Sequence, residues 1–118
     1  MRFIYTISVT CFVLLLGCSP SWIEAPYEVY IIDDVKSLGY SLGNGGYIGR
    51  IEEPVNIASN EAFISVYACP KSVCGFYYID KRNDHKYAEA EEVVFGPFSE
   101  EQFMSLQIKL GLPYVRFE

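Results

Sequence analysis

The distribution of apolar residues divides the chain into an N-terminal run and a patterned remainder. Residues 3–16 are almost wholly apolar and follow a short basic start at Arg2. As a helix, this run would be about 21 Å long, which is short of the roughly 30 Å hydrocarbon core of a membrane. A basic start followed by a short apolar core favours a cleaved signal peptide over a membrane-spanning helix.

Two segments in the middle of the chain predict a β-hairpin. Residues 62–69 alternate, with Ile64, Val66 and Ala68 on one face of a strand. Residues 74–80 are rich in aromatic and β-branched side chains and form the natural partner strand. Their own alternation directs Phe76 and Tyr78 to one face, and Tyr77 to the other.

Shorter strand candidates surround this hairpin. They comprise residues 28–32, 40–42, 47–51, 93–95 and 114–117. Asn44-Gly45 predicts a hairpin turn between the candidates at 40–42 and 47–51, because both residues tolerate positive φ. Asp33-Asp34 is expected to end the strand at 28–32. Most of the chain is therefore expected to form antiparallel sheet.

One helix is expected near the C-terminus. Ser99 is the predicted N-cap, and Gln102 three residues later completes a capping box. Phe98 and Phe103 occupy the positions of a hydrophobic staple, and Gly111 occupies the position of a C-terminal cap. The predicted fold class is α+β, with a four- or five-stranded antiparallel sheet and one C-terminal α-helix packed on a face.

The end of the apolar run resembles the lipobox of bacterial lipoproteins. Leu15-Leu16-Gly17-Cys18 places a leucine three residues before a cysteine and a small residue directly before it. The resemblance implies that the chain is cut before Cys18 and that its thiol is acylated. An ordinary cleaved signal with an incidental cysteine is the alternative. The resulting division is a signal peptide at 1–17, a lipidated N-terminus and tether at 18–27, and a single domain at 28–118.

The same resemblance implies a location. The lipid on Cys18 would attach the protein to the cell membrane or outer membrane, with the domain outside the cytoplasm. Two or more acyl chains anchor a protein firmly. Ser19 stands where inner-membrane lipoproteins of two-membrane bacteria carry Asp, so the outer membrane and its periplasmic face are favoured in such a host.

Charge narrows the class of partner. The 118 residues carry 15 acidic and 9 basic side chains, a net charge of -6, and loss of Arg2 with the signal peptide lowers it to -7. An acidic chain has no basic surplus to displace phosphate counterions, so nucleic acid is not the expected partner. A chain of this length holds one hydrophobic core.

The cysteines take separate roles. Cys11 lies in the apolar run and Cys18 is the lipidation candidate, which leaves Cys69 and Cys74. A disulfide between them is expected outside the cytoplasm, where it would contribute about 2 kcal/mol by closing a short loop. A redox pair and half of a metal site remain alternatives, although redox motifs have two intervening residues and Cys69 and Cys74 have four.

A second resemblance covers roughly residues 40–110. Gly46-Tyr47, the segment Tyr77-Tyr78-Ile79-Asp80 and the segment 96–103 (GPFSEEQF) resemble small bacterial lipoproteins that carry an uncharacterised domain. These proteins share a Gly-Tyr hairpin, a YYIID-like strand and a GP-small-x-x-x-F helix start. The resemblance implies a location and a fold, and it brings no catalytic residues with it.

Candidate chemistry is sparse. His85 is the single histidine and is expected to be exposed in a polar turn. Neighbouring carboxylates, such as Asp33-Asp34 and Glu52-Glu53, point to opposite faces of a strand and are poor catalytic pairs. We therefore expect no catalytic residue, metal site or cofactor.

The surplus of tyrosine favours an interaction surface. Tyr67, Tyr77 and Tyr78 are the candidates for an interaction patch, since tyrosine is enriched at protein interfaces. One face of the hairpin is expected to pack under the helix and the other to expose its tyrosines; the alternative is that both faces are covered. The favoured function is a membrane-tethered module that binds a protein of the cell envelope, an inhibitor of lysozyme type being a special case. The alternative is a small envelope hydrolase that acts on peptidoglycan or glycan through a carboxylate pair.

Overall fold

The computed structural model describes residues 22–117. The chain is α+β, as predicted, with eight strands and a C-terminal helix among these residues. The predicted signal peptide and the lipidation site Cys18 lie outside the described residues. No helix within residues 22–117 is long and apolar enough to cross a membrane.

The strands form two antiparallel sheets of four instead of one sheet of four or five. The first sheet runs in the order β1 to β4: β1 is Ile23–Glu24, β2 Tyr27–Ile32, β3 Val35–Ser41 and β4 Tyr47–Glu52. The second runs in the order β5 to β8: β5 is Pro54–Ser59, β6 Phe63–Ala68, β7 Gly75–Asp80 and β8 Val94–Phe98. The chain leaves the first sheet at Glu53, where φ is 51°.

The two sheets pack face to face around the main core. Leu38 and Ile51 of the first sheet meet Ile64, Val66 and Ile79 of the second. Leu38, Ile64, Val66 and Ile79 are fully buried, so the alternation predicted for β6 is confirmed. The division into two sheets depends on this long-range contact and is not visible in any single strand.

The second sheet is covered on its other face as well. Helix α2, Glu100–Leu110, places Phe103 against Phe76 and Phe63 there. Ser99 and Gln102 form the predicted capping box, and Gly111 ends the helix with φ 78°. A short strand is predicted at 114–117, but residues 112–117 form no strand; Val115 is buried against this face.

Three shorter features differ from the prediction. The tether predicted at 18–27 overlaps β1 and the start of β2, because a turn at Ala25-Pro26 folds β1 back onto β2. The acidic segment before β8 contains a short helix, α1, at Ala90–Val93. Asp33 and Asp34 do more than end a strand, since both have positive φ and form the two-residue turn that joins β2 to β3.

Candidate functional site

The predicted tyrosine patch is not a single surface. Tyr77 belongs to the core between the two sheets. Tyr67 and Tyr78 lie on the opposite face of the second sheet, partly buried under α2 and the C-terminal segment. Tyr67 packs on Phe76, and Tyr78 stacks on Phe95 at 4.9 Å between ring centroids. Alternation along β7 places Tyr77 and Tyr78 on opposite faces of the second sheet. Both of these faces are covered, so the three side chains form no exposed patch.

An aromatic sheet face exists instead on the outside of the first sheet. Alternation along β2–β4 buries one set of side chains against the second sheet and directs the other set outward. We call this outward set the tyrosine face. Its members with side chains beyond hydrogen are Glu28, Tyr30, Ile32, Val35, Ser37, Ser41, Tyr47 and Glu52.

Two stacked tyrosines form the centre of the tyrosine face. The rings of Tyr30 and Tyr47 are nearly parallel, with centroids 4.1 Å apart and 8° between their planes. The Tyr47 hydroxyl donates a hydrogen bond of 3.0 Å to the Glu28 carboxylate. This bond, which holds the hydroxyl protonated, raises the pKa of Tyr47, whereas burial raises the pKa of Tyr30. Both rings are partly exposed and are fixed in position before any partner binds.

Two glycines make room for this stack. Gly39 and Gly49 face each other on β3 and β4. A Cβ atom on Gly39 would lie 2.6 Å from Cε1 of Tyr30, and one on Gly49 would lie 3.5 Å from the Tyr30 hydroxyl. The Tyr30 ring therefore reaches across β3 toward β4 over backbone that has no side chain. The glycine pair, one residue on each strand, is the sequence feature that could have located this stack.

Apolar side chains extend the tyrosine face to the tip of the β2–β3 hairpin. Ile32 and Val35 are a cross-strand pair beside the Asp33-Asp34 turn. Their side chains are 55% and 39% exposed. Helix α2 does not cover them, because it packs on the second sheet. Clustered apolar exposure rimmed by polar groups is typical of interaction sites.

The tyrosine face leads into a cleft at the same end of the molecule. Its volume is about 530 Å³, and its lining joins the hairpin to the disulfide loop: Val35, Glu52, Glu53, Cys69, Lys71 and Ser72. The sulfur atoms of Cys69 and Cys74 are 2.04 Å apart, so the predicted pair is joined as a disulfide.

The loops around this cleft are tightly held. The Glu53 amide donates to the Lys36 carbonyl at 2.8 Å, and the Cys69 amide donates to the Glu53 carbonyl at 3.0 Å. Asp33, Asp34, Glu53, Lys71 and Ser72 are the non-glycine residues with positive φ within residues 22–117. All five lie in three loops, which are the β2–β3 turn, the β4–β5 turn and the disulfide loop. Such conformations persist only where the surrounding structure imposes them, and they concentrate at functional sites.

A buried ion pair supports the opposite face of the first sheet. Arg50 is an extra residue in β4, because Leu38 faces Ile51 while Gly39 faces Gly49. This bulge directs Arg50 inward. Its Nη2 atom lies 2.7 Å from Oδ1 of Asp84, and both side chains have zero exposure.

The polar groups around the ion pair satisfy one another. Arg50 Nε donates to Oδ2 of Asp84 at 3.1 Å, and Nη2 also reaches the carbonyl oxygens of His85 and Ala88. The Tyr27 hydroxyl donates to Asp84 at 2.8 Å. Burial, then this hydrogen bond, raises the pKa of Tyr27. The network attaches the 84–88 segment to the first sheet and is a structural clamp that the sequence patterns did not indicate.

The remaining candidates stay separate in the structure. His85 is exposed, and its Nδ1 accepts a hydrogen bond from the Tyr87 amide. Within residues 22–117, no group of three or more His, Cys, Asp or Glu side chains is arranged to hold a metal ion. Glu89 and Glu92 are engaged in the capping box of α1. No protein-family model matches the chain, and no curated protein or solved structure is significantly similar to it.

Proposed function

We propose that this protein is a membrane-anchored bacterial lipoprotein whose domain binds another protein of the cell envelope through the tyrosine face. The observation that carries the proposal is the stacked pair Tyr30 and Tyr47, which lies beside the exposed Ile32 and Val35 on a sheet face that α2 leaves free. Aromatic side chains held rigidly at a surface provide large contact area at low entropic cost.

The short segment between Cys18 and the folded domain favours a partner that is also close to the membrane. Trp22 follows Cys18 by four residues, which span at most about 14 Å when fully extended. If Cys18 carries the lipid, the folded domain begins within that distance of the bilayer surface. Its partner is therefore expected to be a membrane protein or another protein attached to the same membrane.

Site-specific photo-cross-linking in native membranes tests this proposal. A photoreactive phenylalanine analogue in place of Tyr47 should give one discrete adduct with an envelope protein, because the tyrosine face is expected to lie in the interface. The same analogue in place of Tyr87 is the matched control, since Tyr87 is 79% exposed and lies outside the tyrosine face. Equal adducts from both positions, or none from position 47, would contradict the proposal.

A further inference from the structure

The charge of the tyrosine face indicates what kind of partner it fits. Glu28 and Glu52 lie on the face, and the Asp33-Asp34 turn lies at its end. Between Tyr27 and Glu52 the basic residues are Lys36 and Arg50. Arg50 is buried against Asp84, and Lys36 is paired with Ile31 on the inward side of the sheet. The carboxylates therefore border the apolar centre of the face, and neither basic residue of the 27–52 segment lies on that face.

The cleft at the end of the face has the same polarity. The charged residues of its lining are Glu52, Glu53 and Lys71, which give two carboxylates against one ammonium group. Val35 adds an apolar side chain to the same lining. A lysine or arginine side chain combines an aliphatic stem with a cationic end, so its stem matches Val35 and its charge matches the two glutamates.

The cleft is also preorganised. The backbone hydrogen bonds at Glu53 and Cys69 join the hairpin, the β4–β5 turn and the disulfide loop. A recess whose walls are already fixed loses little conformational entropy when a side chain enters.

We infer that the partner presents a basic surface to the tyrosine face and inserts a lysine or arginine side chain into the cleft between Glu52, Glu53 and Val35. This inference rests on the proposed function and names the partner's chemistry at the same site. Complementary charge would also steer the partner toward the face, so binding should weaken as ionic strength rises.

Charge-removing variants of the full chain test the inference, with the yield of the position-47 adduct in native membranes as the readout. Glu52→Gln with Glu53→Gln should lower the yield by about tenfold, a loss typical for one charge pair at an interface. Glu61→Gln with Glu91→Gln is the control, because it removes the same charge from two exposed positions outside the face and the cleft. It should leave the yield unchanged. Circular dichroism checks that both variants fold.

A third variant should change the adduct yield in the opposite direction. Lys71→Gln removes the one cation of the cleft and should raise the adduct yield. If it lowers the yield, the partner supplies an acidic group to Lys71 and the inference is wrong.

The identity of the adduct completes the test. Mass spectrometry should find a partner peptide that contains lysine or arginine next to the cross-link. A lipid, a second copy of this chain or a peptide without basic residues would overturn the inference. If the adduct forms at position 47 but its yield is unchanged by Glu52→Gln with Glu53→Gln, this inference alone is wrong. If no adduct forms at position 47, the proposed function is wrong as well.

Discussion

Replacing Arg50 by alanine is expected to lower the free energy of unfolding by about 3–5 kcal/mol. The change leaves the Asp84 carboxylate buried without its cation, and the carbonyl oxygens of His85 and Ala88 lose a donor. A domain of this size has a total stability of roughly 5–15 kcal/mol, so the variant would be close to unfolding. Urea denaturation followed by circular dichroism measures the difference.

Two comparisons make this result specific. Glu24→Gln removes the charge from the partly exposed pair of Glu24 and Lys81, whose atoms lie 3.1 Å apart. Glu24→Gln should lower the free energy of unfolding by about 1 kcal/mol or less, because water already screens such a pair.

The second comparison is the double variant Arg50→Met with Asp84→Leu, which removes both buried charges and should be more stable than Arg50→Ala alone. A loss below about 1 kcal/mol for Arg50→Ala would show that the pair is not the clamp described here.

Replacing Cys18 by alanine is expected to release the protein from membranes. The thiol is the predicted acylation site, and acyl chains supply membrane affinity at about 0.8 kcal/mol per buried CH₂. The acidic domain offers no electrostatic substitute on an anionic surface, since its net charge is negative. Metabolic labelling with a fatty acid and membrane fractionation measure the two effects.

The same experiment has an internal control. Cys69→Ala with Cys74→Ala removes the disulfide but leaves Cys18 in place, so labelling should persist in that variant. Labelling that survives Cys18→Ala would contradict the lipoprotein assignment.

Local patterns predicted the elements that depend on neighbouring residues. The helix after Ser99 has its cap, its staple and its terminal glycine within one short segment. The β6–β7 hairpin likewise follows from alternation in two adjacent segments, and the pairing of Val66 with Tyr77 agrees with it. Such features need no information about distant parts of the chain.

Long-range contacts explain what the patterns missed. Whether a strand face is covered depends on the other sheet and the helix. Alternation predicted that Tyr77 and Tyr78 lie on opposite faces, but it could not show that both faces are covered. The stack of Tyr30 and Tyr47 joins two strands that are not neighbours in the sheet. Arg50 and Asp84 meet only because a bulge in β4 directs Arg50 inward.

The measurement that tests the central claim most directly is the amount of partner retained by Tyr47→Ala and by Tyr87→Ala in native membranes. Each change removes one solvent-accessible tyrosine, but only Tyr47 lies on the tyrosine face. Truncation of a central aromatic anchor typically costs about 2 kcal/mol or more, which is roughly a thirtyfold loss of affinity. We predict that loss for Tyr47→Ala and no change for Tyr87→Ala. Equal retention by the two variants would contradict the assignment of the tyrosine face as the binding surface.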